Sequence, residues 1–305
     1  MESSMRIIYM GTPDFAVPSL EILLENGFEV VAVVTAPDKP AGRGLQLQSS
    51  PVKRCAEEHS IPVLQPEKLK HPDFLATLAG FQADLQVVVA FRMLPEVVWN
   101  MPRLGTINLH ASLLPAYRGA APIQWAIIDG AKVTGVTTFF LQHAIDTGNI
   151  ILQQEVAISE DDDAGSLHDK LMHTGSQVVL KSVQMIAQGN IVTTPQEEGD
   201  YPRAPKIFRE DCQINWEQPA GVVRNFIRGL SPYPGAYTDF AGKQLKVFRC
   251  IIEPATDEVP PGQMQTDYSS YIKYRATDGW VSVTDIQWHG KKRMETSTFL
   301  RGYRP

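Results

Sequence analysis

The sequence predicts an α/β first half with a mostly parallel sheet, followed by a small antiparallel β domain. Three observations carry this. Up to about residue 190, short and nearly continuous apolar runs alternate with amphipathic stretches, as expected for strands covered by helices on both faces. A polar, Pro-rich segment, NIVTTPQEEGDYPRAPK, then breaks the alternation and reads as a linker. Beyond it come short strand-like runs at the spacing of a small barrel. A length of 305 residues exceeds one ordinary core and fits two domains, with the division expected at 1–190, 191–208 and 209–305.

Each element has its own signal. RIIYM (6–10) reads as a buried strand, and VPSLEILLENG as a helix stopped by Gly27. EVVAVVT (29–35) is a second strand. PVKRCAEEH (51–59) is a helix with Pro51 in its first turn. ADLQVVVA (83–90) and GTINLHA (105–111) are further strands, joined by a short helical turn. VTTFFLQ (136–142) and NIILQQEVAI (149–158) form a pair of longer strands, and residues 164–189 a long amphipathic helix ending at Gly189. In the last third, PAGVVRNFIRG is helical and AYTDF, KQLKVFRCIIE, SYIKYRA and WVSVTDIQW are strands. Asp278-Gly279 is a tight-hairpin signal.

Apolar residues make up 43% and charged residues 20%, a globular balance. No run approaches the ~20 apolar residues of a membrane span, and MESSMRIIYM carries none of the marks of a secretory signal. Three scattered cysteines, Cys55, Cys212 and Cys250, fit reduced thiols in a cytoplasm. The net charge of −6 is uneven: residues 209–305 carry 13 Lys+Arg against 11 Asp+Glu. A basic face can meet phosphates whatever the total. Lys243, Lys246, Arg249, Lys273, Arg275 and Lys291–Arg293 are the candidates for such a face, and an ordinary solvated surface is the alternative.

Several motifs are excluded. MGTPDFA (10–16) sits where a dinucleotide-binding loop would, but it has one Gly and a Pro in place of GxGxxG. It reads as a tight turn, with Asp14 favoured near a helix start. Asp146-Thr147-Gly148 is a single copy, whereas aspartic-protease chemistry needs two carboxylates. The histidines show no metal spacing; His168 and His173 are five apart on a helix, and no metal is expected. Ser112 lies in no GxSxG elbow.

What remains is INLHASLLPAYRGAAPIQWA (107–126). Asn108 and His110 fall on one face of a strand, about 6.6 Å apart, and Asp146 follows a later strand. Attack of an amine on a formyl or acyl carbon creates a negative oxygen, to which an Asn amide and a His N–H can donate. The His can also move a proton near neutral pH. The Asp can orient the imidazole and stabilise its charged form, or accept a proton from the amine. Leu113 and Leu114 either line an apolar slot or belong to the core, Ser112 can bond a ligand edge, and Pro115 shapes the turn.

These residues resemble the folate-dependent formyltransferases. N-L-H-x-S-L-L-P-x-Y-R-G-A-A-P-I-Q followed by D-T-G is similar to that family, as are GTPDFAVPSL, TAPDKPAGRG (35–44), SPVK (50–53), MPRLGTIN (101–108) and RAPKIFREDCQINW (203–216). Within the family the chain looks most like the branch that formylates charged initiator tRNA. The resemblance implies a Rossmann-like catalytic domain (1–190), a linker (191–208) and an OB-like tRNA-binding barrel (209–305). It implies 10-formyltetrahydrofolate as donor and the α-amino group of methionyl-initiator tRNA as acceptor, in a cytoplasmic, monomeric enzyme of translation initiation. Asn108, His110 and Asp146 are then catalytic, and Ser112, Leu113, Leu114 and Pro115 contact folate. Lys39 and Arg43, in the inserted loop 36–50, meet tRNA. Another folate-dependent formyltransferase or hydrolase, acting on a small amine or water, is the alternative. The sequence departs from the pattern at VVVAFRMLP, where Phe91-Arg92 replace a Tyr-Gly pair beside the expected folate pocket.

Overall fold

In the computed structural model, residues 5–41 and 46–304 are described. The first half runs β1 (Arg6–Gly11), α1 (Val17–Glu25), β2 (Glu29–Val34), β3 (Lys39–Ala41), β4 (Gln46–Gln48), α2 (Pro51–Glu58), β5 (Val63–Leu64), α3 (Pro72–Gly80), β6 (Leu85–Val89), α4 (Glu96–Trp99) and β7 (Thr106–His110). It continues with β8 (Arg118–Gly119), α5 (Pro122–Ile128), β9 (Val133–Phe140), β10 (Ile150–Ala157) and α6 (Ala164–Ala187). A seven-stranded sheet has the order β10-β9-β7-β6-β1-β2-β5. The pairs from β7 across to β5 are parallel, and β9 joins β7 antiparallel. Ile7, Ile8, Tyr9 and Met10 are at most 1% exposed, because β1 is central and both its faces are covered. This is why RIIYM is apolar without alternation.

The order shows a doubly wound sheet: the chain leaves β1 on one side for β2 and returns on the other at β6. Ligands of such sheets lie beyond the carboxyl ends of the strands near this reversal. At the first turn, Gly11 is required by close approach. A Cβ there would sit 2.7 Å from the Ala16 Cβ. The glycine therefore serves close packing at this turn.

The last third holds β11 (Arg203–Ala204), α7 (Ala220–Gly229), β12 (Ala236–Phe240), β13 (Lys243–Pro254), β14 (Met264–Thr266), β15 (Ile272–Arg275), β16 (Gly279–Trp288), β17 (Met294–Glu295) and α8 (Thr296–Arg301). The sheet order is β12-β13-β16-β15-β14, with β17 on β16, and the pairs are antiparallel. The β13–β16 register shifts on either side of Arg249, and such bulges curl a strand. The result is a half-barrel of the expected OB-like kind. Its core contains Ile227, Phe240, Leu245, Val247 and Ile286, with Trp216 stacked on Tyr274 at 4.6 Å. Asp278 does more than turn the hairpin: its carboxylate accepts from the Ala220 N–H at 2.7 Å and caps α7.

The compact units interleave along the chain where a colinear division was expected. One comprises Met1–Arg118, Gly135–Val156 and Asp169–Pro202; the other comprises Gly119–Thr134, Ala157–His168 and Arg203–Pro305. Within the second, α5 packs against α7 so closely that a Cβ on Gly229 would lie 2.6 Å from the Ile128 side chain. The buried Arg228 guanidinium donates to the carbonyls of Ser159 (3.1 Å) and Asp162 (2.8 Å). Residues 191–202, expected as linker, group with the first unit. Thr194 exchanges both backbone hydrogen bonds with Ile150 of β10, at 2.8 and 2.9 Å.

Candidate active site

The geometry of β7 is set by its neighbours. Asn108 pairs with Val88 of β6 and with Phe139 of β9, so strand alternation puts Asn108 and His110 on one face. Asn108 is half-buried. His110 is 7% exposed. Its Nε2 lies 2.8 Å from the Tyr117 carbonyl oxygen. A carbonyl only accepts, so Nε2 carries a proton. The other ring nitrogen, Nδ1, faces Asp146 Oδ2 at 3.9 Å. That is too long for a direct hydrogen bond and short enough for an ion pair. Nδ1, on the side of the carboxylate, is the ring nitrogen not engaged by Tyr117.

Asp146 belongs to the loop from β9 to β10 and has φ 54°. A non-glycine residue reaches this left-handed region most readily when it is Asn or Asp. Two residues on, a Cβ on Gly148 would collide with the Phe140 carbonyl oxygen. The glycine of DTG thus lets the loop fold back on β9. Thr147 Oγ1 donates to the Ala144 carbonyl at 2.9 Å and accepts from Gln142 Nε2 at 2.8 Å. Each residue of the DTG triplet therefore has a local backbone reason.

The SLLP turn is fixed by a buried hydroxyl absent from the sequence reading. Thr137 of β9 is 0% exposed. Its Oγ1 donates to the Ser112 carbonyl (2.7 Å) and accepts from the Leu114 N–H (3.1 Å) and Gln153 Nε2 (3.0 Å). Gln153 also donates to the Leu114 carbonyl at 2.8 Å. Ser112 is fully buried and its hydroxyl donates to the Ala116 carbonyl at 2.6 Å, so it holds the turn. Of the two leucines, Leu114 is 3% exposed and belongs to the core. Leu113 is half-buried over Gly135, whose Cβ position lies 2.6 Å from Leu113 Cδ2. Pro115 follows through a cis peptide bond and keeps some exposed surface.

Phe91 packs toward the core cluster of Phe74, Leu78 and Leu94. Arg92 donates to the carbonyls of Glu67 (2.9 Å) and Pro66. These residues follow β6, whose Val89 pairs with Leu109, so they stand at the same sheet end as His110. The base of the inserted loop is clamped. Lys53 pairs with Asp38 at 2.6 Å, Gln65 donates to Asp38 and to the Ala36 carbonyl, and Thr35 meets Ser50 at 2.7 Å. Lys39 is exposed on β3, and Arg43 lies outside the described residues.

Several of the C-terminal cations are engaged with their neighbours, among them Lys243 over the Trp288 ring. Arg275 is 8% exposed and donates to the carbonyls of Ala276 and Gly279. Arg293 pairs with Asp285 and lies 4.3 Å over the Phe248 ring. Lys273 lies over Trp280 and Tyr271. These three hold the fold. Lys246 donates to the Pro234 carbonyl at 2.7 Å and lines a cavity of about 520 Å³ with Lys206, Arg209, Tyr233 and Tyr237. Among the described residues, no group of three or more His, Cys, Asp or Glu is placed to hold a metal, and no helix is long and apolar enough to cross a membrane.

A strand-end Asn and His, a loop Asp and a buttressed SLLP turn stand on one sheet, an arrangement of donors and a carboxylate that can serve acyl transfer. The formyl transferase family model matches residues 5–183, and the model of the formyl transferase C-terminal domain matches residues 206–304. The chain belongs to this family. A relative from Bacteroides fragilis, named methionyl-tRNA formyltransferase, is 51% identical over 311 residues, covering 99% of this chain and 96% of the relative. Two solved structures share the fold at 20% identity. HypX from Aquifex aeolicus, in complex with tetrahydrofolic acid, has a TM-score of 0.67 over 98% of this chain, which spans 47% of HypX. An N-formyltransferase from Helicobacter canadensis, in complex with folinic acid and dTDP-3-aminofucose, has a TM-score of 0.67 over 93% of this chain and 100% of its own.

Proposed function

We propose that this chain transfers the formyl group of 10-formyltetrahydrofolate to the α-amino group of methionyl-initiator tRNA, for translation initiation. Its full-length similarity to relatives named for that activity supports the reaction. The observation that carries the mechanism is the placement of His110 Nδ1 opposite Asp146, 3.9 Å apart, on the strand whose same face bears Asn108. The amine attacks the formyl carbon, and the carbonyl oxygen becomes negative. The Asn108 amide and a protonated His110 Nδ1 donate to it. Asp146 orients His110, stabilises its imidazolium and takes the proton that the amine must lose. The tetrahedral intermediate then collapses: the bond from the formyl carbon to the folate nitrogen breaks, and that nitrogen leaves as N–H with the proton that Asp146 took from the amine. At no stage is it bonded to the protein.

Leu113 and Pro115 offer the partly exposed surface on which the folate rests, held in place by the buried Ser112 and Leu114, since the Ser112 hydroxyl is spent on Ala116. Lys39 and Arg43 meet tRNA phosphates, and the cavity of Lys206, Arg209 and Lys246 in the C-terminal unit adds a second basic surface. The scattered free thiols support a cytoplasmic setting.

The test is formyl transfer to charged initiator tRNA, run beside uncharged tRNA, amino sugars and water as acceptors. Strong preference for the charged tRNA is expected, and transfer to a small amine or water at an equal kcat/KM would overturn the acceptor. His110→Ala and Asn108→Ala should each lower kcat by about 10²–10³-fold; a folded His110→Ala variant with near-normal kcat defeats the site. Arg43→Ala should raise KM for tRNA and leave that for folate unchanged.

A further inference from the structure

We propose that Gln196 is a positioning residue for Asp146, and that together with Arg118 it sets the gap between Asp146 and His110. The proposal rests on the assignment of Asp146 and His110 as the reacting pair. Gln196 Nε2 donates to the backbone carbonyls of Asp146 (2.9 Å) and Gly148 (2.8 Å). Its Oε1 accepts from Arg118 Nε (3.0 Å) and Nη2 (2.5 Å). An amide has two N–H donors and two acceptor lone pairs, and all four are used here. The orientation is unambiguous, because carbonyls only accept and a guanidinium only donates.

The brace joins the two supports of the site. Arg118 follows Tyr117, whose carbonyl accepts the His110 Nε2–H, and whose own N–H donates to the Pro202 carbonyl at 2.6 Å. His110 is therefore held through residue 117, and the Asp146 loop through residues 118 and 196. Gln196 is delivered by the pairing of Thr194 with Ile150, two residues beyond Gly148. The left-handed φ of Asp146 presents its carbonyl to Gln196, while its carboxylate faces the imidazole. Without the Gln196 amide, two carbonyls of the loop lose this donor and the Asp146 end of the loop can shift. A displacement near 1 Å is enough to cost about 10²-fold in rate.

The test uses the full-length enzyme. Gln196→Ala should lower kcat by about 10- to 100-fold, with KM for both substrates within about threefold, and should move the pH profile of kcat. Gln196→Glu keeps the contact with Arg118 but cannot donate to the carbonyls, so it should fall as far as alanine. Arg118→Lys, with fewer donors, should give a smaller loss in the same direction. The deciding measurement is a double-mutant cycle with Asp146→Asn. If Gln196 acts through Asp146, Gln196→Ala should cost less than about twofold in the Asp146→Asn background. Losses that multiply independently, a Gln196→Glu enzyme of normal kcat, or a Gln196→Ala loss with an unmoved pH profile would each overturn the proposal. An Asp146→Asn enzyme of normal kcat would instead defeat the site assignment, and this proposal with it.

Discussion

Replacing Thr137 by valine removes one hydroxyl at nearly constant volume, at a residue 0% exposed. No cavity forms, so the whole effect lies in hydrogen bonds. The Ser112 carbonyl loses its donor, and the Leu114 N–H and the Gln153 amide lose their acceptor. Gln153 keeps the Leu114 carbonyl, which leaves two backbone groups stranded in a buried turn. At about 1–3 kcal/mol for each unsatisfied buried group, the variant should be destabilised by roughly 2–6 kcal/mol. Thr137→Ser keeps the hydroxyl and loses a methyl, and should cost no more than about 1.5 kcal/mol. Urea unfolding followed by circular dichroism measures both, and steady-state kinetics should show KM for the folate rising in the valine variant as the SLLP turn loosens. A valine variant within about 0.5 kcal/mol of the parent, with unchanged KM, would refute the claim that this hydroxyl fixes the turn.

The Asp38–Lys53 clamp should be insensitive to pH across the neutral range. The Lys53 hydrogen bond, helped by Gln65, holds the Asp38 carboxyl below its usual range, and Asp38 holds the Lys53 ammonium above its own. The aspartate contribution is present above the ordinary carboxylate pKa and is lost as pH falls through the depressed one. The lysine contribution is present below the ordinary amine pKa and is lost as pH rises through the raised one. Hydrogen exchange at Ala36, Asp38 and Lys39 should therefore accelerate only in strong acid or strong base, beyond its intrinsic pH dependence; a clamp opening near pH 7 would contradict the structure. The cysteines should resist alkylation in the native enzyme. Burial pushes the Cys55 thiol up to about 11 and the Cys250 thiol up to about 12, and also raises Cys212. At pH 8 the thiolate fraction of Cys250 is then on the order of 10⁻⁴, so iodoacetamide should label the three only after denaturation. Rapid labelling of the folded enzyme would refute this.

The sequence displayed what is periodic or chemically rare. RIIYM, EVVAVVT and LQVVVA read as buried strands because both their faces are covered. AYTDF and KQLKVFRCIIE read as barrel strands because turn residues bound them. Asn108 and His110 stood out because polar side chains on an apolar strand are uncommon. What stayed hidden depends on partners remote in sequence. Thr137 looks like any β-branched strand residue until Ser112 and Leu114 are brought against it. Gln196 lies in a segment whose Pro and polar content signals a linker, and nothing local says that Thr194 pairs with Ile150. The grouping of residues 119–134 and 157–168 with the C-terminal unit follows from the packing of α5 on α7 and from Arg228, which no window of sequence contains. The charges of Arg275, Lys273 and Arg293 were plain, but their acceptors and aromatic platforms were not.

The left-handed backbone at residue 146 narrows the choice of side chain before chemistry enters. Most L-residues would lose on the order of 1 kcal/mol there, and only Gly, Asn and Asp enter the conformation readily. Gly has no acid and Asn no charge, which leaves a single amino acid able both to close the loop and to hold a proton. A glutamate, although it keeps the carboxylate, would carry a backbone cost on the order of 1 kcal/mol as well as its extra reach.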